Sequence, residues 1–149
     1  MCIIVDANRM GWFLKEPYGD EVEPIHKWLT KRNKPGHLIY SAGGLFSEEV
    51  PYSAKVKLKA YLDAGRASVI PANSFENLEK EFRNNPKVKS DDHHILALAQ
   101  HTGARILLTG DKDLREDFKN HELINEPRGK IYSDQRQAHL LKSSACRRT

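Results

Sequence analysis

The sequence has only two cysteines, Cys2 and Cys146, and neither belongs to a C-x-x-C pair or a Cys/His cluster. Thiol redox chemistry and a structural zinc site are therefore disfavoured. Long apolar runs are also missing, because the longest, such as "CIIVDA" and "ILLTG", have only the length of strands. No basic segment leads into an apolar one near the first residue, so we expect neither a signal peptide nor a membrane span. These absences predict a soluble protein of the reducing cytoplasm.

The length of 149 residues suits one domain that buries a continuous core without disulfides or a structural metal. The net charge of +4 favours an anionic partner, although a solvated basic surface explains it equally well. Basic residues dominate the end of the chain, where a phosphate backbone or an acidic partner could be contacted. We expect one domain over residues 1–142 and a basic C-terminal tail over residues 143–149, disordered at its end.

Strand-length apolar runs alternate with segments of helical spacing, which indicates an α/β domain with a mainly parallel sheet. Five strands are predicted, at "CIIVDA", "HLIYS", "ASVIP", "RILLTG" and "GKIYS". The spacing predicts helices over residues 20–31, 44–63, 75–83, 91–101, 114–119 and 134–141. Ser74 and Ser90 are expected to cap two of them, Gly103 to end one, and Pro51 to kink or restart another. The expected architecture is a three-layer α/β/α sandwich.

Acidic residues stand where ligands bind in such a sheet, outside the carboxyl ends of the strands. Asp6 ends the first strand, Asp111 follows the fourth, and Asp92 opens the helix that leads into the fourth. Glu48 or Glu49 follows the second strand. Clustered carboxylates repel one another, and a divalent cation compensates for that repulsion. Oxygen ligands alone suit Mg²⁺ or Mn²⁺, which can activate a water for attack on a phosphodiester.

The strings "IIVDAN", "DDHHILALA" and "ILLTGDKDL", with an acidic position after the second strand, resemble the PIN-domain ribonucleases. That family includes the VapC-type toxins of toxin-antitoxin pairs. The resemblance covers residues 1–141, with "GKIY" and "AHLL" similar to the last strand and helix of some members. It implies a Mg²⁺- or Mn²⁺-dependent endoribonuclease that cleaves single-stranded or loop RNA, binds a small antitoxin protein and forms a homodimer.

Carried over position by position, the resemblance implies that Asp6, Glu48, Asp92 and Asp111 form the catalytic, metal-binding quartet. Asp113 matches a frequent additional acid. Glu48 is preferred to Glu49 because "LFSE" matches the family pattern, although the glycine pair and the proline around it depart from that pattern.

Two polar residues, Asn8 and Thr109, match positions beside the first and fourth acids, where they could orient carboxylates. Ala7 replaces a common Ser or Thr. Lys112 and Arg115 are placed to meet a phosphate, although a plain surface role is equally consistent with the sequence.

Simpler interpretations exist for each acid taken singly. Asp91 and Asp92 could complement a helix dipole, and Asp111 could be an ordinary turn residue. His93 and His94 follow Asp92 directly, but adjacent helical residues diverge by about 100°, so both cannot join it at one ion. We expect these histidines to face solvent or RNA.

Two other functions remain open. A HAD-like phosphatase would need a second aspartate where Asn8 stands, which disfavours it. The complete set of acids argues against a PIN-fold module that binds RNA or protein without cleavage, but the irregular segment around Glu48 keeps that alternative open.

Overall fold

The computed structural model describes residues 2–41, 50–142 and 146–147. The five strands are β1 (Cys2–Val5), β2 (His37–Ser41), β3 (Ala67–Ile70), β4 (Ile106–Leu108) and β5 (Lys130–Ile131). They form one sheet in the order β3-β2-β1-β4-β5, and every neighbouring pair is parallel. The predicted α/β class with a parallel five-stranded sheet is confirmed.

The central strand β1 explains why its sequence is uniformly apolar. Its Ile3 lies opposite Leu38 of β2 and Ile106 of β4, so the strand has no open edge. Alternate side chains enter different cores, with Ile3 in one and Ile4 in the other. Both faces of the strand are therefore buried, as an unbroken apolar run predicts.

Helices cover both faces of the sheet. They are α1 (Ala7–Phe13), α2 (Glu23–Thr30), α3 (Tyr52–Asp63), α4 (Glu76–Arg83), α5 (His93–Thr102) and α6 (Lys112–Lys119), with 3-10 turns at Ala72–Ser74 and Gln135–Leu140. Helices α1 to α3 contribute to the core that contains Ile3, and α4 to α6 to the core that contains Ile4. The structure is thus the three-layer sandwich that the sequence predicts.

Several local predictions differ from the structure. Helix α1 is not predicted, because it is short and contains Gly11, a poor helix former. The predicted caps Ser74 and Ser90 are wrong, since the N-caps of α4 and α5 are Phe75 and Asp92. Gly103 ends α5 with a φ of 82°, as predicted.

Two other helices begin or wind differently from the prediction. Helix α3 begins at Tyr52, directly after Pro51, which agrees with the expected restart; residues 44–49 of that prediction lie outside the described residues. The last predicted helix is a 3-10 turn, capped by Asp134 and Gln137.

The two described residues of the C-terminal tail lie against the domain. Cys146 forms a disulfide with Cys2 of β1, with 6.1 Å between their Cα atoms. The backbone N–H of Arg147 donates to the carbonyl of Thr102, at 2.7 Å. This pairing, across 144 positions, differs from the expectation of a core without disulfides. Over the described ranges, no helix has the length and apolar character needed to cross a membrane.

Candidate functional site

Asp6 and Thr109 lie next to each other because they follow two paired strands. Asp6 follows β1, Thr109 follows β4, and the Asp6 N–H donates to the Leu108 carbonyl at 3.0 Å. Both side chains are buried, with exposures of 5% for Asp6 and 0% for Thr109. The Thr109 hydroxyl donates to Oδ2 of Asp6 at 2.8 Å. A buried carboxylate is thereby fixed at the carboxyl edge of the sheet, with the hydrogen bond expected of Thr109.

Asp111 is joined to the same hydroxyl through its backbone. Its N–H donates to the Thr109 oxygen at 3.1 Å, and its Oδ1 accepts from the N–H of Leu114, also at 3.1 Å. The carboxylate therefore caps α6, which is the simpler role that the sequence allows. Because the cap uses Oδ1, the simpler role and a ligand role are compatible for this residue.

Asp92 is the third acid near Asp6 and Asp111. It is the N-cap residue of α5, but its carboxylate makes no cap hydrogen bond. The pKa of Asp92 is raised to about 6, mainly by burial, and also by the charge of Asp6 and a hydrogen bond with Asp111, against a lowering effect of nearby His94. Asp6, Asp92 and Asp111 are thus close enough to influence one another, as predicted from three distant segments of the chain.

The other predicted acids are placed differently. Asp91 and Asp113 are exposed. Glu48 and its alternative Glu49 lie outside the described residues. Asn8 is also exposed and, in the part of the chain that the structure describes, makes no side-chain hydrogen bond with Asp6. Three of the four proposed catalytic acids are therefore brought together.

A residue that the sequence reasoning missed, Asp117, supports the loop before Asp92. Its side chain is 1% exposed and lies on α6. Its carboxylate accepts from the backbone N–H of Lys89, at 3.0 and 3.1 Å, and from that of Ser90, at 2.8 Å. The Ser90 hydroxyl in turn accepts from the Asp92 N–H at 3.3 Å. Asp117 thus positions the segment that carries Asp92, a role without a local sequence signal.

Basic side chains flank the loop that carries Asp111. The Arg115 Nε donates to the Thr109 carbonyl at 2.9 Å. On the other side, the Arg9 guanidinium lies over the ring of Trp12, 5.3 Å from its centroid. It also lies so close to Gly110 that a Cβ there would stand 2.9 Å from the Arg9 Nε. Gly110 therefore permits an arginine beside the acids, and Arg9 is a second residue that the sequence reasoning missed.

Asp6, Asp92 and Asp111 offer only carboxylate oxygens, the type of ligand that Mg²⁺ and Mn²⁺ prefer. In the described part of the chain, no group of three or more His, Cys, Asp or Glu side chains is arranged so that it could hold a metal ion. The fourth predicted ligand, Glu48, is not among those residues.

No protein-family model, curated protein or solved structure matches this chain. The resemblance to PIN-domain ribonucleases therefore stays a prediction from the quoted motifs.

Proposed function

We propose that this chain is a Mg²⁺- or Mn²⁺-dependent endoribonuclease of the PIN-domain type. The convergence of Asp6, Asp92 and Asp111 is the observation that carries the proposal. These acids lie beyond the carboxyl ends of the strands, near β1 and β4. The strand order reverses between β1 and β4, and open α/β sheets bind ligands at such a switch point. Burying like charges together costs stability, so a functional reason is needed for their presence.

The cation would be held by Asp6, Asp92 and Asp111 together with Glu48, with Asp113 as an auxiliary ligand. The proposal needs Glu48 because the described acids do not by themselves form a metal-binding group. When bound, such a cation offsets the repulsion, lowers the pKa of a bound water and neutralises charge on a phosphodiester. Thr109 contributes by holding the Asp6 carboxylate through its hydroxyl. Asp117 contributes by anchoring the backbone before Asp92.

Arg9 and Arg115 would bind the phosphates of the substrate. Both lie next to the loop at Thr109 and Gly110. Arginine matches the geometry of phosphate oxygens. Trp12 is 38% exposed beside Arg9, so a base could stack on its ring. This arrangement suits single-stranded RNA, whose bases are available for stacking.

The proposed partners follow from the same resemblance. RNA is the substrate, a small antitoxin protein would block the site, and the chain would form a homodimer.

The decisive experiment compares two adjacent acids. Asp92→Asn should lower metal-dependent RNA cleavage by about a hundredfold or more, a range typical of lost catalytic groups. The exposed neighbour Asp91→Asn should retain cleavage within about threefold, because its carboxylate lies outside the cluster. Cleavage of a mixed single-stranded RNA would be measured with Mg²⁺, with Mn²⁺ and with EDTA.

Equal cleavage with and without EDTA, or full activity of Asp92→Asn, would contradict the proposal. An absence of cleavage combined with metal-independent RNA binding that Asp92→Asn leaves intact or strengthens would instead support the non-cutting RNA-binding module.

A further inference from the structure

A cavity of about 480 Å³ lies away from the acids, near the end of the sheet at which the strands begin. Its wall includes Tyr61, near the C-terminal end of α3, and Arg66, which directly precedes β3. Asp6 and Thr109 stand beyond the carboxyl ends of their strands, whereas Arg66 stands before the start of one. Because all strands are parallel and a four-residue strand spans about 13 Å, the cavity and the acids are separate sites.

Two cations and one carboxylate line the cavity. The Lys57 ammonium donates to the Leu14 carbonyl at 2.7 Å and lies 3.6 Å from Oε1 of Glu16, so much of its capacity is used. The Arg66 guanidinium is half-buried and, within the described residues, has no hydrogen-bond or ion-pair partner. Five donors in a fixed planar arrangement are therefore available for an anion, and arginine favours phosphate or carboxylate oxygens.

Two tyrosine rings also line the cavity. Tyr18 stacks on the buried His26, with 3.5 Å between ring centroids and an interplanar angle of 8°. Phe13 stacks on the same imidazole at 4.3 Å. Tyr18 and Tyr61 both line the cavity. A flat aromatic ligand would thus meet rings whose orientation the stack already fixes, which reduces the entropy lost on binding.

Hydrogen bonds fix that orientation further. His26 Nε2 lies 2.7 Å from the Phe13 carbonyl, which only accepts, so Nε2 carries the hydrogen. Nδ1 therefore accepts from the Tyr61 hydroxyl, at 2.5 Å. Burial lowers the pKa of His26 to about 4, so the imidazole is neutral at pH 7 and this pattern persists. The hydrogen bond to His26 thus orients the Tyr61 side chain.

We propose that this cavity binds a nucleoside monophosphate unit, with the phosphate at Arg66 and Lys57 and the base against Tyr18 and Tyr61. Arg66 provides most of the positive charge and Lys57 adds to it, the tyrosines provide the stacking surface, and the volume lies within the range of small-ligand sites. The unit is either a free nucleotide or the 5′-terminal nucleotide of an RNA, which share this chemistry. Binding here does not require the proposed ribonuclease activity.

Calorimetric titration of the full chain with AMP, GMP, CMP and UMP tests the proposal. At least one should bind with a dissociation constant below about 1 mM. Arg66→Gln should weaken that binding about tenfold or more, and Tyr18→Leu should weaken it similarly, since stacking of one base is worth about 1–3 kcal/mol. Arg83→Gln, on α4 in the opposite layer, is the matched control and should bind as the wild type does. Arg66→Lys should bind better than Arg66→Gln because it keeps the charge.

Further titrations distinguish a free nucleotide from an RNA end as the ligand, and binding in the cavity from binding at the acids. The corresponding nucleoside should bind about tenfold more weakly than the nucleotide. A short RNA with a 5′-phosphate that binds more tightly than the free nucleotide identifies an RNA end as the ligand, and the reverse order identifies a free nucleotide. Asp111→Asn should leave binding unchanged. Absence of binding at about 1 mM, indifference to Arg66→Gln, or loss of binding in Asp111→Asn would overturn the proposal.

Discussion

At Asp92, the proposed role in metal binding conflicts with the stability of the folded protein. Its carboxylate is partly buried beside Asp6 and Asp111, and burial raises its pKa from 3.8 to about 6. A carboxyl whose pKa is higher in the folded state binds more protons there than in the unfolded chain. Stability is therefore lost as the pH rises from about 4 through 6, and the full penalty is present at pH 7.

Asp92→Asn should stabilise the metal-free protein at pH 7 by about 1–3 kcal/mol, the lower end reflecting solvent screening of a partly exposed group. The amide keeps the shape of the side chain and removes the charge that Asp6 repels. At pH 3, where the carboxyl is protonated in both states, the gain should vanish. Urea unfolding in EDTA at the two pH values measures the difference.

Asp91→Asn is the control for this measurement, because Asp91 is exposed one residue earlier. It should change the unfolding free energy by less than about 0.5 kcal/mol at either pH. A destabilised Asp92→Asn protein at pH 7 would show that the carboxylate is stabilised by its surroundings, contrary to the structure.

At the scale of elements, the loop before α5 is held by a residue of α6. The Asp117 carboxylate receives the N–H groups of Lys89 and Ser90 in a buried position. Asp117→Ala leaves these buried donors without that partner, which costs about 1–3 kcal/mol. We expect that loss in urea unfolding, faster amide exchange at Ser90, and an RNA-cleavage rate lowered by about tenfold or more as Asp92 loses its support.

Glu116→Ala is the matched control on the same helix. Its carboxylate pairs with the Lys89 ammonium at 2.8 Å on the surface, where such a pair contributes less than about 1 kcal/mol. Cleavage and amide exchange at Ser90 should stay as in the wild type. Equal effects of the two substitutions would mean that Asp117 acts as a general surface charge and does not position the loop.

The elements differ in how far the sequence could predict them. All five strands follow from apolar runs, and the left-handed end of α5 follows from Gly103, since glycine adopts a positive φ at little cost. Helix α1 could not be predicted, because its seven residues are held by packing of Met10 and Phe13 and not by intrinsic propensity. The predicted caps Ser74 and Ser90 are wrong because α4 and α5 begin later in the chain, after Phe75 and Asp92.

The residues of the candidate site also differ in whether the sequence could predict them. Asp6, Asp92 and Asp111 could be predicted because each stands beside a recognisable strand or helix end. Asp117 and Arg9 could not, since their roles depend on the approach of α6 to residues 89–90 and of α1 to Gly110. Such contacts between distant segments leave no periodic signal along the chain.

For the whole molecule, the parallel sheet separates two chemistries. The carboxyl edge gathers negative side chains, whereas the opposite edge carries the cavity with Lys57 and Arg66. A parallel arrangement produces this polarity because every strand ends on the same side. The proposed nucleotide and the proposed cation would thus bind at opposite ends of the strands without competing.

The disulfide between Cys2 and Cys146 closes almost the whole chain into one loop. Cross-linking residues 144 positions apart restricts the unfolded chain, and models of that restriction give about 5 kcal/mol, of which natural disulfides commonly deliver about 2–4. The link also holds Cys146 against the core that contains Ile4. The free energy of unfolding of the oxidised protein should therefore exceed that of the reduced protein.

Urea unfolding of the oxidised wild type should give a free energy about 2–4 kcal/mol higher than that of Cys146→Ser. Dithiothreitol should lower the wild type toward the variant and leave the variant unchanged, because only the cross-link responds to a reductant. Any difference that remains after reduction measures packing of the Cys146 side chain, since the reduced wild type keeps it. A wild type whose unfolding is the same with and without dithiothreitol, after mass spectrometry has shown the oxidised form at the start, would mean that the ends of the chain are already held together without the covalent bond.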